Sequence, residues 1–368
     1  MAKKIYVGVS GTARKVKKLY VGVDGKARKV KKGYVGVGGV ARPIWTTDLA
    51  YYGTITALDN GARDGSVTTV GNYAIFAGGQ PGSAGRLATA VSYSSSLVKQ
   101  AIDDLSKARY DIAPATVGNY AVFLGGSPSS SPAATSRMDY YDGSLVHGST
   151  STSYERYDMT AASFGDCALF AGGCDSDDEM CNTVVTVSSD LTRSTTTNLT
   201  QDRYGMGATV VGNYAIFAGG AGNRNNVWAY SKDLARTTLT TLTNSGSPKG
   251  LTIGNYALFG GASTGSTQVD IYDSDLSKGT PVELSSARNS LTGTTIGKYA
   301  IFAGGYDGST YVATVDSFSP DLVRTTHESL SVGRGWNRWQ STTVGNYALI
   351  MSGYTGSGVS TAVDVYTA

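Results

Sequence analysis

A four-residue marker returns seven times along the chain and dominates what it can fold into. The copies are Gly71-Asn72-Tyr73-Ala74, Gly118-Asn119-Tyr120-Ala121, Gly165-Asp166-Cys167-Ala168, Gly212-Asn213-Tyr214-Ala215, Gly254-Asn255-Tyr256-Ala257, Gly297-Lys298-Tyr299-Ala300 and Gly345-Asn346-Tyr347-Ala348, spaced 42 to 48 residues apart. A fixed period of this length overrides residue-by-residue guesses about structure. Each marker opens an apolar run, as in Tyr73-Ala74-Ile75-Phe76-Ala77, and a variable loop follows. Then come Val-x-x-Tyr (Val269 to Tyr272), a turn ending in Leu (Ser274-Asp275-Leu276) and a Thr/Leu stretch ending near Ala287-Arg288. Each unit reads as four strands.

The apolar run does not alternate with polar residues, so both faces of that strand are expected to be covered. A sheet flanked on both faces by copies of itself is a blade of a β-propeller, and four-stranded units of this length are what radial repetition uses. The seventh copy stops after Val363-Asp364-Val365-Tyr366, its third strand. The missing turn and fourth strand stand ahead of the first copy, as Thr47-Asp48-Leu49-Ala50 and the stretch up to Leu58. The expectation is an all-β chain: one seven-bladed propeller over residues 46–368, its last blade closed by an N-terminal strand at 49–58. Sharing one blade between the two ends protects the edges.

The remaining composition agrees. With 48 Gly, 24 Tyr and only 16% charged residues, the chain favours short strands and tight turns over helix. It has no run of about 18 apolar residues and no lysine-then-apolar leader, so neither membrane insertion nor a signal peptide is expected. Three cysteines within Cys167 to Cys181 cannot form a disulfide framework for 368 residues.

The front of the chain is physically different. Residues 1–45 hold twelve of the 31 basic side chains and one of the 28 acids, Asp24, so this segment is +11 and the rest of the chain −8. It repeats every 14 residues, with Tyr6, Tyr20 and Tyr34 in register and Arg14, Arg28 and Arg42 on the returning segments. Tyr-Val-Gly-Val followed by a Gly-containing turn (Ser10-Gly11, Asp24-Gly25, Gly38-Gly39) is hairpin chemistry. A lone hairpin is marginal in water, so these tyrosines and arginines are expected to act as an anchor ordered on a partner surface.

The propeller units resemble the kelch-repeat class. The resemblance rests on glycine pairs after the apolar strand (Gly78-Gly79, Gly125-Gly126, Gly172-Gly173, Gly219-Gly220, Gly260-Gly261, Gly304-Gly305), on Val-Asp-x-Tyr, and on an Arg before the next unit (Arg63, Arg109, Arg156, Arg203, Arg288, Arg334). Copy seven has Ser352-Gly353, and the outer-strand Trp of that class is replaced by Leu. This implies fold rather than activity. The basic repeats separately resemble those near the ends of structural proteins of phages and prophages of Gram-positive bacteria, which implies attachment to a virion.

Little in the chain points to catalysis. His147 and His327 stand in different units and read as solvated surface, so neither a metal triad nor a Ser-His-Asp set assembles. Cys167 replaces the recurring Tyr and reads as a small core residue, whereas Cys174 and Cys181 flank a loop whose base they could staple if oxidised. That loop carries Asp175, Asp177, Asp178 and Glu179, a weak candidate for Ca²⁺ that lacks EF-hand spacing and reads better as a solvated tip. No cofactor is expected.

Variation concentrates on the face that carries the loop after each second strand and the links between blades, and loops there are the place for binding. The candidates are Trp336, Asn337, Arg338 and Trp339 in one link, Tyr306 and Tyr311 in one loop, and Arg224 in another. Aromatic faces beside Arg and Asn donors suit sugar rings or a protein partner, and the competing role for the tryptophans is to plug the top of the ring. The recurring Arg reads as structural, pairing with neighbouring turns.

The leading expectation is a non-enzymatic phage virion protein, tail- or particle-associated and assembled in the host cytoplasm. Residues 1–45 would dock it on a phage structural protein, with copies able to associate on the particle, and the propeller would recognise a host-surface glycan or protein. Docking on an acidic virion protein is favoured over nucleic acid, because the lysines follow the hairpins. The alternative is a purely structural decoration or accessory protein, and a carbohydrate-active enzyme comes third.

Overall fold

The computed structural model describes residues 48–368 apart from 83–84, 130–132, 152, 223 and 337–338, together with the backbone of six strands between Tyr6 and Thr46. Those six strands form three antiparallel hairpins: Tyr6–Val9 with Thr12–Lys15, Tyr20–Val23 with Lys26–Lys29, and Lys32–Val37 with Val40–Thr46. The side chains of Tyr6, Tyr20, Tyr34, Arg14, Arg28 and Arg42, and the three turn dipeptides, lie outside the described residues.

The rest of the chain is an all-β, seven-bladed propeller. Seven four-stranded antiparallel sheets succeed one another, beginning with Ser66–Val70, Tyr73–Ala77, Ala90–Ser94 and Lys99–Ala101 as blade 1. Blade 7 is built from Ser341–Val344, Tyr347–Met351, Val363–Thr367 and Ala50–Thr54. Its fourth strand thus comes from the start of the domain, with Thr367 opposite Ala50 and Asp364 opposite Thr54, and a bulge between Val365 and Tyr366. The paired strand ends at Thr54, short of Leu58; beyond it, the amides of Ile55 and Leu58 still bond to the carbonyls of Val363 (3.1 Å) and Thr361 (3.0 Å). Among the described residues no helix is long and apolar enough to cross a membrane.

The repeated residues have separable roles. The marker glycine is the first residue of each two-residue hairpin and takes φ of 53 to 60°, the region glycine enters without steric cost. The apolar run after it is the second strand, buried on both faces, and it packs against the neighbouring blade rather than around a common centre. Ile75 and Ala77 of blade 1 meet Phe123 and Tyr141 of blade 2, and seven such clusters among the described residues fill the seven seams. Stability is therefore a sum over blades and their nearest-neighbour seams.

Polar bonds stitch the same seams. On the innermost strands, Thr116, Thr252, Thr295 and Thr343 donate hydroxyls to carbonyls of the adjoining blade, which explains why this strand is Thr-rich. On the third strands, the Tyr of Val-x-x-Tyr does the equivalent work: Tyr93, Tyr141, Tyr230, Tyr272 and Tyr366 donate to the carbonyls of Thr56, Asp103, Thr197, Thr240 and Glu328 in the preceding blade at 2.6 to 2.8 Å.

The arginines are internal, but their partners and membership differ from expectation. Arg109, Arg288 and Arg334 are fully buried and pair with Asp139, Asp316 and Asp364 on the third strand of their own blade at 2.6, 2.9 and 2.6 Å. Each Asp also accepts the amide and hydroxyl of a serine from the preceding blade, Ser106, Ser285 or Ser331, so strand three rather than a neighbouring turn is the anchor. In blade 4 the Asp position is Trp228, and buried Arg203 stacks over its ring at 5.4 Å. Arg63 does not belong to this set. The carbonyls that accept the amide of the second loop glycine are those of Arg109, Arg156, Arg203, Gly246 and Arg334, and at the closing joint that carbonyl is Ala62's. Serine and glutamine fill the space there, with Ser352 Oγ and Gln340 Nε2 bonded to the Ala62 carbonyl.

Three further expectations are corrected. His147 is not solvated: its Nε2 lies 2.7 Å from the buried carboxylate of Asp139, reached diagonally across the hairpin. His327 is likewise half-buried, with Nε2 2.7 Å from Ser317 Oγ. Cys167 is half-buried at the strand end, like the tyrosines it replaces, rather than a core residue.

Candidate functional site

Two residues after the arginine position, in six of the seven blades, the chain enters the left-handed region, at Asp64, Asp111, Asp158, Gly205, Ser290 and Trp336, with φ between 50 and 61°. These residues form a belt of bonds from blade to blade, in which the amides of Trp336, Asp64, Asp111, Asp158 and Gly205 donate to the carbonyls of Ser290, Trp336, Asp64, Asp111 and Asp158. Four of the six, three Asp and a Gly, are residue types that favour this conformation, and Ser290 is small. Trp336 is not, and holding a bulky aromatic there costs about 1 to 3 kcal/mol. Its ring remains 42% exposed, so it does not plug the ring.

Around Trp336 four aromatic rings converge at the seam of blades 6 and 7. Trp336 stacks on Tyr354 (5.7 Å, 25°), Tyr354 meets Tyr311 edge to face (5.3 Å, 89°), and Tyr311 lies 5.1 Å from Tyr306. The loops are tied down locally. Backbone pairs join Asn289 to Tyr306 and Gly335 to Tyr354, and the Asp307 carboxylate accepts the amides of Ser309 and Thr310. Those two amides hold Asp307 below the usual carboxylate range, whereas burial, then the phenols of Tyr354 and Tyr306, push Tyr311 up.

The rings border an open cleft of about 600 Å³, whose polar wall is Asn289, Ser290, Ser309, Thr310 and Thr355. That volume lies within the range of small-ligand sites. Asn289 Oδ1 is buried and has no hydrogen-bond partner among the described residues. A second cleft, of about 280 Å³, shares Tyr354 as a wall and is otherwise lined by Arg63, Pro81, Gly82, Ser357, Gly358 and Val359. Arg63 connects the two, with its guanidinium 5.2 Å from the Trp336 ring and bonded to Gln80.

Of the residues expected on this face, Tyr306, Tyr311 and Trp336 are brought together. Trp339 is half-buried beneath, its carbonyl accepting the amide of Val67 (2.9 Å), and does not line the cleft. Arg224 is exposed in the blade 4 loop beside Arg203, away from these rings. Asn337 and Arg338 lie outside the described residues. Tyr354, Asn289 and Arg63 were missed as site residues. The signal for Tyr354 was available, since Gly353-Tyr354 repeats Gly305-Tyr306.

The acidic loop is bonded within itself. Asp175 Oδ1 accepts the amides of Asp177 and Glu179, and Asp178 accepts the hydroxyl of Tyr157. Among the described residues no group of three or more His, Cys, Asp or Glu side chains converges to hold a metal ion, so the weak Ca²⁺ candidate has no geometry behind it. Cys174 and Cys181 are free thiols, and burial followed by the charge of Asp158 pushes Cys174 up to about 12.

Comparison with known proteins gives a fold. No family model matches the chain, and no curated protein does. Among solved structures, the structure of YjhT matches with a TM-score of 0.59 at 11% identity, covering 74% of this chain and 99% of that one. At this identity the likeness is one of fold. The match nevertheless overturns the expectation of a non-enzymatic chain, because the shared ring is a scaffold that hosts catalytic and binding sites alike. The arguments made against catalysis covered only a metal triad and a Ser-His-Asp set, and no wider exclusion is kept.

Proposed function

We propose that this chain is a phage or phage-derived particle protein whose propeller presents its loop face to the host surface. In this reading residues 1–45 dock it on an acidic virion protein, supported by their charge of +11 and their likeness to repeats of phage structural proteins. The kelch-like reading of the propeller units is supported by the loop glycines, by the Val-x-x-Tyr tyrosines that bond across seams, and by the buried arginines.

The observation that carries the recognition reading is the cleft at the seam of blades 6 and 7. An exposed Trp336 and three half-buried tyrosines set among hydrogen-bonding groups, on an otherwise tightly bonded scaffold, are what binding needs and what stability does not. The test is adsorption of the full-length protein to whole host bacteria. Saturable binding that falls at least tenfold in Tyr354→Ala supports the reading; no binding to host cells, with the protein folded and monodisperse, discards it. Labelling the protein on intact particles tests the docking half, which fails if the label is absent from the virion.

A further inference from the structure

The two clefts that share Tyr354 differ in what they offer, and together they constrain the occupant. The first sets four aromatic rings among Ser, Thr and Asn, and the second sets Tyr354 beside Arg63, Ser357, Pro81 and Val359. Trp, Tyr and Arg also serve protein partners, but there they sit in tightly packed, fully desolvated pockets, whereas these are open clefts. Flat rings carrying hydroxyls match them better: C–H faces rest on aromatic surfaces, and hydroxyls pair with the Asn289, Ser309, Thr310 and Thr355 side chains of the wall.

Charge narrows the class. Among the described residues that line the two clefts none is a carboxylate and Arg63 is the one cation; the carboxylates nearby are engaged, Asp307 by the amides of Ser309 and Thr310 and Asp64 by Arg63 at 3.9 Å. Cationic rings would meet Arg63 and only engaged carboxylates, whereas neutral rings face no such penalty and acidic ones are drawn to Arg63. Length follows from the geometry, because Tyr354 forms a wall of both spaces and Arg63 a wall of the second while stacking on Trp336 of the first.

Resting on the host-recognition reading above, we infer that the occupant is a neutral or acidic oligosaccharide at least two rings long, laid across Tyr354 with one ring in each cleft. Gly82 supplies a probe: among the described residues a Cβ there meets nothing within 4 Å, so Gly82→Phe adds a bulky ring to the wall of the second cleft without a local clash.

The experiment applies full-length protein to an array of oligosaccharides of one to six rings, spanning neutral, N-acetylated, acidic and de-N-acetylated basic sugars, with whole-cell adsorption in parallel. The expected result is binding to one or more neutral or acidic oligomers, about tenfold tighter for a disaccharide or longer than for its monosaccharide, and none to the basic set. Tyr354→Ala weakens oligomer binding about 30-fold, the scale of an interface hot spot, and Tyr354→Phe stays within threefold of the parent. Gly82→Phe removes the advantage of the oligomer and leaves monosaccharide binding unchanged. Cell adsorption without binding to any printed sugar overturns this inference and leaves host recognition standing. Sugar binding without cell adsorption overturns host recognition instead. Oligomer binding that survives Gly82→Phe but not Tyr354→Ala overturns the two-ring length.

Discussion

Two sides of the same ring solve the same backbone problem with different side chains. At the residue following each arginine position, blades 2, 3 and 4 carry Tyr110, Tyr157 and Tyr204, whereas blades 6 and 7 carry Asn289 and Gly335. The backbone pairing is the same on both sides, for example Tyr110 with Ser127 and Gly335 with Tyr354. On the tyrosine side, Arg86 lies 4.1 Å over the Tyr110 ring and Tyr157 bonds to Asp178, so the loops close on themselves. On the other side the small Gly335 lets Tyr311 lie against the link, so close that a Cβ at 335 would meet the Tyr311 ring at 3.0 Å. A cleft opens where the repeat leaves a side chain out. Repetition supplies the stability, and one departure from it supplies the site.

If the even part of the ring is the scaffold, damage there shows as lost stability rather than as altered selectivity. Arg288→Ala strands the buried Asp316 carboxylate, and chemical denaturation should register a loss of about 3 to 5 kcal/mol. A loss under 1 kcal/mol would mean the pair is dispensable. The same pairs predict acid sensitivity. Burial opposes ionisation of Asp139 and Asp316, but Arg109 for the first, and the Ser285 amide with Arg288 for the second, hold both below their ordinary value of 3.8. Their contribution is therefore complete above the unfolded value and is lost as pH falls below about 4. Asp316→Asn should flatten part of that acid limb in a series of melts from pH 6 to pH 2.

The departure can be reversed by design. Gly335→Tyr gives blade 7 the residue of blades 2 to 4, drives into Tyr311, and is expected to weaken host-cell adsorption about 30-fold, the scale of losing a hot-spot contact. Adsorption unchanged in that variant would detach the cleft from recognition. A smaller effect separates strain from contact at Trp336. Replacement by Asn, which accepts φ near 50°, relieves strain while giving up the stacking on Tyr354. The melting free energy should stay within about 1 kcal/mol of the parent, because the relief of about 1 to 3 kcal/mol offsets lost ring contacts of similar size. Adsorption should nonetheless fall.

Much of this architecture was legible before any coordinates, because a period of 42 to 48 residues leaves few ways to arrange four strands. What the sequence hid were the contacts that depend on register. Arg63 stands eight residues before its Gly-Asn turn whereas Arg109, Arg156, Arg203 and Arg288 stand nine before theirs; that single residue moves its side chain from the interior to the cleft. His147 was misread for a similar reason: its partner Asp139 lies on the opposing strand, and only the pairing of Tyr141 with His147 brings them into reach. The aromatic cluster was half visible. Trp336, Tyr306 and Tyr311 declared themselves as unusual residues in variable loops, but nothing local shows that loops from two blades lean on one Tyr354.

Hydrogen–deuterium exchange of the full-length protein, with and without polysaccharide from cells that adsorb it, tests the central claim most directly. Protection is predicted at Tyr306 to Tyr311 and Tyr354 to Val359, and not in the loops beside Tyr110 and Tyr157. Protection confined to blades 2 to 4 would contradict the account.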